Sequence, residues 1–198
     1  ARRAEIAARF RAAASASPSG VKTRIHGDYH LGQVLVSKGD LVIIDFEGEP
    51  SRPLPERRAK SALLRDVAGM LRSFDYAAAM ALTRFRDTHE AELEGARARA
   101  LAWRDRTRRD YLLAYLETAG DLTPEPSLTR ALLDLFTLQK AIYEVGYELA
   151  NRPAWVRIPL AGVADVLNDP RGVTAWADRP DEGDPPARSP APTDGEPT

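Results

Sequence analysis

Apolar positions recur along this chain in two rhythms. Near the N-terminus, Gln33-Val34-Leu35-Val36 and Leu41-Val42-Ile43-Ile44 are short branched runs separated by Ser37-Lys38-Gly39-Asp40. Two such runs around a Gly-containing turn predict a β-hairpin. Ahead of them, Arg2 to Ala14 reads as a helix with Ile6 and Phe10 on one face, ended by Ser17-Pro18-Ser19-Gly20. The stretch from Glu49 to Arg58 carries Pro50, Pro53 and Pro55 and is expected to be a non-helical connector.

Beyond it the rhythm changes to 3.6 residues. Leu63, Leu64, Val67, Leu71 and Phe74 mark one amphipathic helix, and Leu101, Leu112, Tyr115 and Leu116 fall in a second over Arg97–Ala119. Leu128 to Ala150 form a third and Leu160 to Leu167 a fourth. On the third, Leu135, Leu138, Ile142, Val145 and Leu149 are expected to face inward, with Lys140, Tyr143, Glu144 and Tyr147 grouped on the opposite face. A hairpin followed by helices is an α+β, mainly α-helical arrangement.

Composition narrows the class. The 198 residues carry a net charge of -1, which argues against a protein that coats nucleic acid or an anionic membrane. The absence of Cys excludes disulfides and thiolate zinc sites and agrees with a reducing, cytoplasmic location. No apolar run approaches the roughly 20 residues of a membrane helix, and no signal peptide is visible. The arginines from Arg97 to Arg109 are interrupted by Asp105, so the stretch reads as a solvated helix with pairs such as Asp105–Arg109, with no nucleic-acid partner expected. From Asp178 to Thr198 there are six prolines and six acids against two arginines, a composition expected to remain disordered. The chain thus divides into a helix and linker over 1–20, a main body over 21–177 and an acidic tail over 178–198.

The chemistry is concentrated in two neighbouring runs, Arg24 to Gln33 and Ile43 to Glu49. The first holds His26, Gly27 and Asp28 with the amide Gln33 five residues after Asp28; Asp45 follows beyond the hairpin and precedes Phe46. Phosphoryl transfer to a hydroxyl needs a carboxylate to accept the hydroxyl proton and oxygen ligands to hold Mg²⁺ on nucleotide phosphates. Kinase-like folds place the base and the amide in one loop and the metal carboxylate across a short hairpin, in an Asp-Phe-Gly segment. The spacing of Asp28, Gln33 and Asp45-Phe46 corresponds. Gly27 stands where protein kinases have Arg, as in small-molecule kinases of the aminoglycoside phosphotransferase type.

Four runs extend the likeness: Arg24 to Gln33, Ile44 to Pro50, Glu56 to Lys60 and Leu64 to Ala78. Together they resemble bacterial maltokinase, most closely the maltokinase domain fused behind trehalose synthase, over roughly Val21 to Gly172. The resemblance implies the C-terminal lobe of a protein-kinase-like fold and transfer of phosphate from ATP to the anomeric hydroxyl of maltose.

On this reading Asp28 is the general base, and Gln33 and Asp45 hold Mg²⁺ and, through it, ATP. His26 packs under Phe46 and fixes the loop, Asp66 braces the loop from the head of the next helix, and His30 resembles a sugar contact. Glu47 is open between a second metal and the sugar. Lys140, Tyr143, Glu144 and Tyr147, followed by Asn151 to Trp155, are similar to the maltose-binding stretch of maltokinases; Trp155 is open between sugar stacking and core packing. Only about two dozen residues precede Asp28, with no Gly-rich phosphate loop and no lysine-bearing strand pair. A nucleotide-binding lobe is therefore expected upstream in a longer protein, and the chain by itself is expected to be inactive. Other small hydroxyl acceptors, or a non-catalytic sugar- or partner-binding lobe, are the alternatives.

Overall fold

The computed structural model describes residues 2–15 and 21–168. In chain order these form α1 (Arg3–Ser15), β1 (Lys22–Thr23), β2 (Val34–Ser37), β3 (Asp40–Ile43), α2 (Leu54–Arg58), β4 (Ser61–Ala62), α3 (Leu64–Arg86), α4 (Leu93–Ala119), α5 (Pro126–Asn151) and α6 (Arg157–Asn168). The acidic tail over 178–198, and 169–177 of the expected body, lie outside the described residues.

The hairpin forms as the sequence predicts. β2 and β3 pair antiparallel from Val34 opposite Ile43 to Ser37 opposite Asp40. Lys38 and Gly39 both take positive φ, 51° and 83°, the backbone of a two-residue turn whose twist matches the strands. A second, two-residue pairing joins β1 to β4. The connector corrects one expectation: Leu54–Arg58 is a short helix. Pro53 precedes it and Pro55 occupies its first turn, where a helix has no use for the missing N–H.

The core is made by α3, α4, α5 and α6. Leu64, Val67, Ala68 and Leu71 on α3 meet Leu112 on α4, Leu133 and Leu138 on α5, and Val166 on α6. Ile6 and Phe10 pack α1 onto the same cluster. Burying such side chains gives about 1.5–3 kcal/mol each before entropy is charged against it.

A second layer of packing is ionic. Arg72 on α3 is 1 % exposed and donates to Glu144 Oε2 at 2.7 and 2.9 Å and to Asp75 Oδ2 at 2.6 Å. Burial works against the guanidinium charge; Asp75 and Glu144 outweigh it and lift Arg72 above the usual arginine range. Arg108 reaches Asp75 from α4 at 3.0 Å. One turn along, Tyr76 donates to Glu148 Oε1 at 3.0 Å, and Arg152 donates to both oxygens of Glu148.

This layer corrects part of the expected orientation of α5: Leu135 and Leu138 face the core as expected, but acids join them there. The buried face of the helix carries Thr137, Leu138, Ala141, Glu144 and Glu148, whereas Ile142 and Leu149 are exposed. The acids turn inward because α3 offers them a buried arginine and a tyrosine hydroxyl. For the same reason the arginines of α4 are not all solvated: Arg108 is buried against Asp75.

Candidate active site

The loop after β1 carries Asp28, and two devices hold it. Asp66, in the first turn of α3, accepts the backbone N–H of His26 at 2.6 Å and of Gly27 at 2.9 Å. Burial lifts the Asp66 carboxyl above the usual carboxylate range, while the two amides pull it back down. The buried His26 ring bonds the Ile44 carbonyl through Nε2 at 2.8 Å and lies 4.9 Å from the Phe46 ring. His26 thereby ties the Asp28 loop to the segment after β3. Gly27 lets the two segments touch: its φ is +88°, and a Cβ there would stand 3.2 Å from the Cα of Gly48.

Asp28 itself is met from α5. Lys140 Nζ lies 2.9 Å from Asp28 Oδ1 and 3.8 Å from Glu49 Oε2. Burial works against the lysine charge; Asp28 first, then Glu144 and Glu49, outweigh it and lift the ammonium above its usual range. His30 Nε2 stands 3.9 Å from the other oxygen, Asp28 Oδ2, while its Nδ1 accepts the Gly32 N–H at 3.0 Å. Tyr143, one turn from Lys140, donates to Glu49 Oε1 at 3.0 Å. Asp28, Lys140, Glu49 and Tyr143 line a cleft of about 260 Å³ whose wall also includes Gln139, Arg52, Arg57, Lys60 and Arg65.

Gln33 and Asp45 come together at the base of the hairpin. Gln33 Nε2 donates to Asp45 Oδ2 at 2.9 Å. Asp45 holds φ at +63°, a left-handed conformation that a non-glycine residue adopts at a cost. Gln33 Oε1 and Asp45 Oδ1 accept no hydrogen bond among the described residues, so each residue of the pair keeps a hard oxygen donor. That donor set suits Mg²⁺, which takes one or two protein oxygens and fills the rest with water and phosphate. Among the described residues, no cluster of three or more acids and histidines could hold a metal by itself.

Of the side chains expected at the sugar, Lys140 and Tyr143 line the cleft with Asp28. Tyr147 is exposed and stacks on Tyr143 with ring centres 6.4 Å apart. Glu144 gives its Oε2 to the buried Arg72. Trp155 packs 6.5 Å from Tyr76 with the Arg152 guanidinium 4.5 Å above its ring, outside the cleft wall. Glu47 contributes its backbone carbonyl to Arg57 at 3.4 Å. Glu49 is the residue that sequence reasoning passed over; it follows Glu47 and Gly48 in the same run, so position relative to Asp45 was the available signal.

No protein-family model matches the chain. Two relatives do. The glucosamine kinase of Mycolicibacterium smegmatis is 35 % identical over 149 residues, which cover 73 % of this chain and 34 % of that protein. The glucosamine kinase of Streptacidiphilus jiangxiensis is 29 % identical over 143 residues, covering 72 % and 31 %. The chain is related to sugar kinases. It spans about a third of the length of these curated relatives. Among solved structures, a glucosamine kinase in one crystal form aligns with a TM-score of 0.66 and 27 % identity, covering 84 % of this chain and 38 % of the other. A glucosamine kinase in complex with glucosamine, ADP and inorganic phosphate aligns with a TM-score of 0.66 and 28 % identity, covering 83 % and 37 %. The hairpin and helices thus correspond to one part of a kinase fold. No helix among the described residues is long and apolar enough to cross a membrane.

Proposed function

We propose that this chain is the acceptor-binding and catalytic lobe of an ATP-dependent sugar kinase. The observation that carries the reading is Asp28, set in a cleft by Lys140 and by a loop braced on Asp66, with the Gln33–Asp45 pair formed across the hairpin that follows that loop. Asp28 accepts the proton of the sugar hydroxyl as the hydroxyl oxygen bonds to the γ-phosphorus. The bond between that phosphorus and the β,γ-bridging oxygen breaks, and ADP leaves with the electron pair. Lys140 orients the Asp28 carboxylate for this step. Gln33 and Asp45 are the residues that would hold Mg²⁺, which when bound neutralises charge on the transferring phosphate.

The nucleotide comes from outside the described residues. Leu35 with Val42 on one face of the hairpin, Val36 with Leu41 on the other, and Phe46 after it are exposed, apolar surface suited to packing against a nucleotide-binding lobe. The greater length of the relatives supports such a lobe.

For the acceptor, maltose at its anomeric hydroxyl is the reading supported by the four sequence runs, with Lys140 and Tyr143 in the cleft wall, His30 beside Asp28 and Tyr147 beside Tyr143 as its contacts. Glu144, held by the buried Arg72, and Trp155, packed on Tyr76 outside the cleft wall, drop out of the expected set. Glucosamine is the second reading, supported by both relatives and by Glu49, whose carboxylate borders the cleft and suits an ammonium group. Initial rates with ATP and each sugar, in a polypeptide that joins this lobe to its nucleotide-binding lobe, test the proposal. Phosphate transfer to one of the two sugars is expected; ATP turnover independent of any sugar would overturn it.

A further inference from the structure

The cleft that contains Asp28 has a second chemical character. Four cations, Arg52, Arg57, Lys60 and Arg65, line it, and they come from the connector, α2 and the first turn of α3. Three of the four carboxylates in the cleft wall are committed elsewhere. Asp66 accepts the amides of His26 and Gly27, Asp28 is paired with Lys140, and Glu49 accepts the Tyr143 hydroxyl. Glu56 also lines the cleft, yet forms no ion pair with these cations among the described residues.

The arginines are correspondingly under-satisfied. Arg65 is half-buried, with its guanidinium 4.7 Å over the Phe136 ring. Burial, and then repulsion from Arg52, push it below the usual arginine range. Arg57 spends one nitrogen on the Glu47 carbonyl at 3.4 Å, while its Nε is buried without a hydrogen-bond partner. A buried donor left unpaired is costly, and like charges brought together in a cleft add to that cost. One dianion would relieve both, because a guanidinium fork matches phosphate oxygens in pairs.

We propose that Arg52, Arg57 and Arg65, assisted by Lys60, form a phosphate-binding subsite in the wall of the Asp28 cleft. Its ligand is a phosphate group, either free inorganic phosphate or the phosphate of a sugar monoester. The subsite rests on the sugar-kinase reading only for the identity of a sugar carrier; the binding of phosphate stands apart from it. Where the carrier is a sugar, the site retains the phosphorylated product and makes its release sensitive to this arginine cluster.

Isothermal titration of the full chain with inorganic phosphate, glucosamine 6-phosphate, maltose 1-phosphate and the two unphosphorylated sugars tests the subsite without any turnover. Saturable binding of phosphate or of a sugar phosphate is expected, weakened at least about tenfold in Arg65→Met and Arg52→Gln and unchanged in Arg58→Gln, whose side chain does not line the cleft. Arg52 is exposed, so that variant keeps the test readable if Arg65→Met fails to fold. A sugar phosphate binding more tightly than inorganic phosphate identifies a monoester site, and equal binding identifies a free-phosphate site. No saturable binding of any phosphate, or equal weakening in Arg58→Gln, overturns the proposal. Failure of the sugar-kinase reading would show instead as absence of phosphate transfer with phosphate binding intact.

Discussion

Lys140 on α5 donates a hydrogen bond of 2.9 Å to Asp28, 112 residues earlier in the chain. The contact makes α5 a wall of the site and fixes one oxygen of the proposed base. Replacing Lys140 with Met should lower kcat by about 10–100-fold while leaving the ATP KM nearly unchanged, because the substitution disturbs the orientation of the base. Steady-state kinetics of the variant against both substrates would show it; an unaltered kcat would separate Lys140 from the chemistry.

The same pair sets a pH signature. The lysine is held above its ordinary value of 10.5, so the folded state binds its proton more tightly than the unfolded chain does. The stabilisation is fully present below that ordinary value and is lost as pH rises through the higher folded value. The difference in melting temperature between the unmodified protein and Lys140→Met should therefore be constant from pH 7 to about 9.5 and shrink above about 10.5. Thermal melts over that range check the sign; a difference that grows with alkalinity would reverse it.

Arg72 anchors α5 to α3 through Glu144 and strengthens the turn of α3 through Asp75. Arg72→Met would leave two acids in the interior without their cation, at a cost of about 3–5 kcal/mol. Urea denaturation followed by circular dichroism gives the number. A loss below about 1 kcal/mol would mean that water reaches the acids in place of the arginine.

Much of this architecture is legible in the sequence, and the exceptions share a cause. The hairpin and the four long helices follow from two simple periods, and Asp28, Gln33 and Asp45 are close in sequence, so local spacing brings them into view. The inward face of α5 does not follow, because Glu144 and Glu148 are buried by partners on other elements: Arg72 and Tyr76 on α3, and Arg152 beyond the end of α5. Apolar counting assigns acids to water. Arg108 escapes for the same reason, since Asp75 lies 33 residues away. The helix at Leu54–Arg58 was hidden by counting prolines without their position in the first turn. The Lys140–Asp28 contact spans most of the chain, and no local pattern encodes it.

Gly69 marks where α3 passes the loop that carries Asp28. A Cβ at this position would stand 2.6 Å from the Tyr29 carbonyl oxygen, so the backbone of the loop or the helix must shift. Gly69→Ala should cost about 1–3 kcal/mol and slow phosphate transfer by displacing Asp28. Paired measurements of stability and kcat distinguish this from a purely local effect; an alanine variant with normal stability would show that α3 can move away freely.

Asp45 combines an unusual backbone with a proposed role as metal ligand. Asn tolerates the left-handed region nearly as well, so Asp45→Asn should change stability by no more than about 0.5 kcal/mol. It should still raise the Mg²⁺ concentration needed for half-maximal activity by about tenfold or more, by removing a formal charge from the metal's ligands. An Mg²⁺ titration of activity measures this, and an unchanged midpoint would take Asp45 out of the metal site.

The central claim is that Asp28 accepts the proton of a sugar hydroxyl. The most direct measurement compares Asp28→Asn with the unmodified enzyme, in a polypeptide joining this lobe to its nucleotide-binding lobe, for both phosphate transfer and sugar affinity. Transfer should fall by about 100-fold or more, while calorimetric affinity for the accepted sugar stays within about threefold. Turnover close to the unmodified rate would contradict the account.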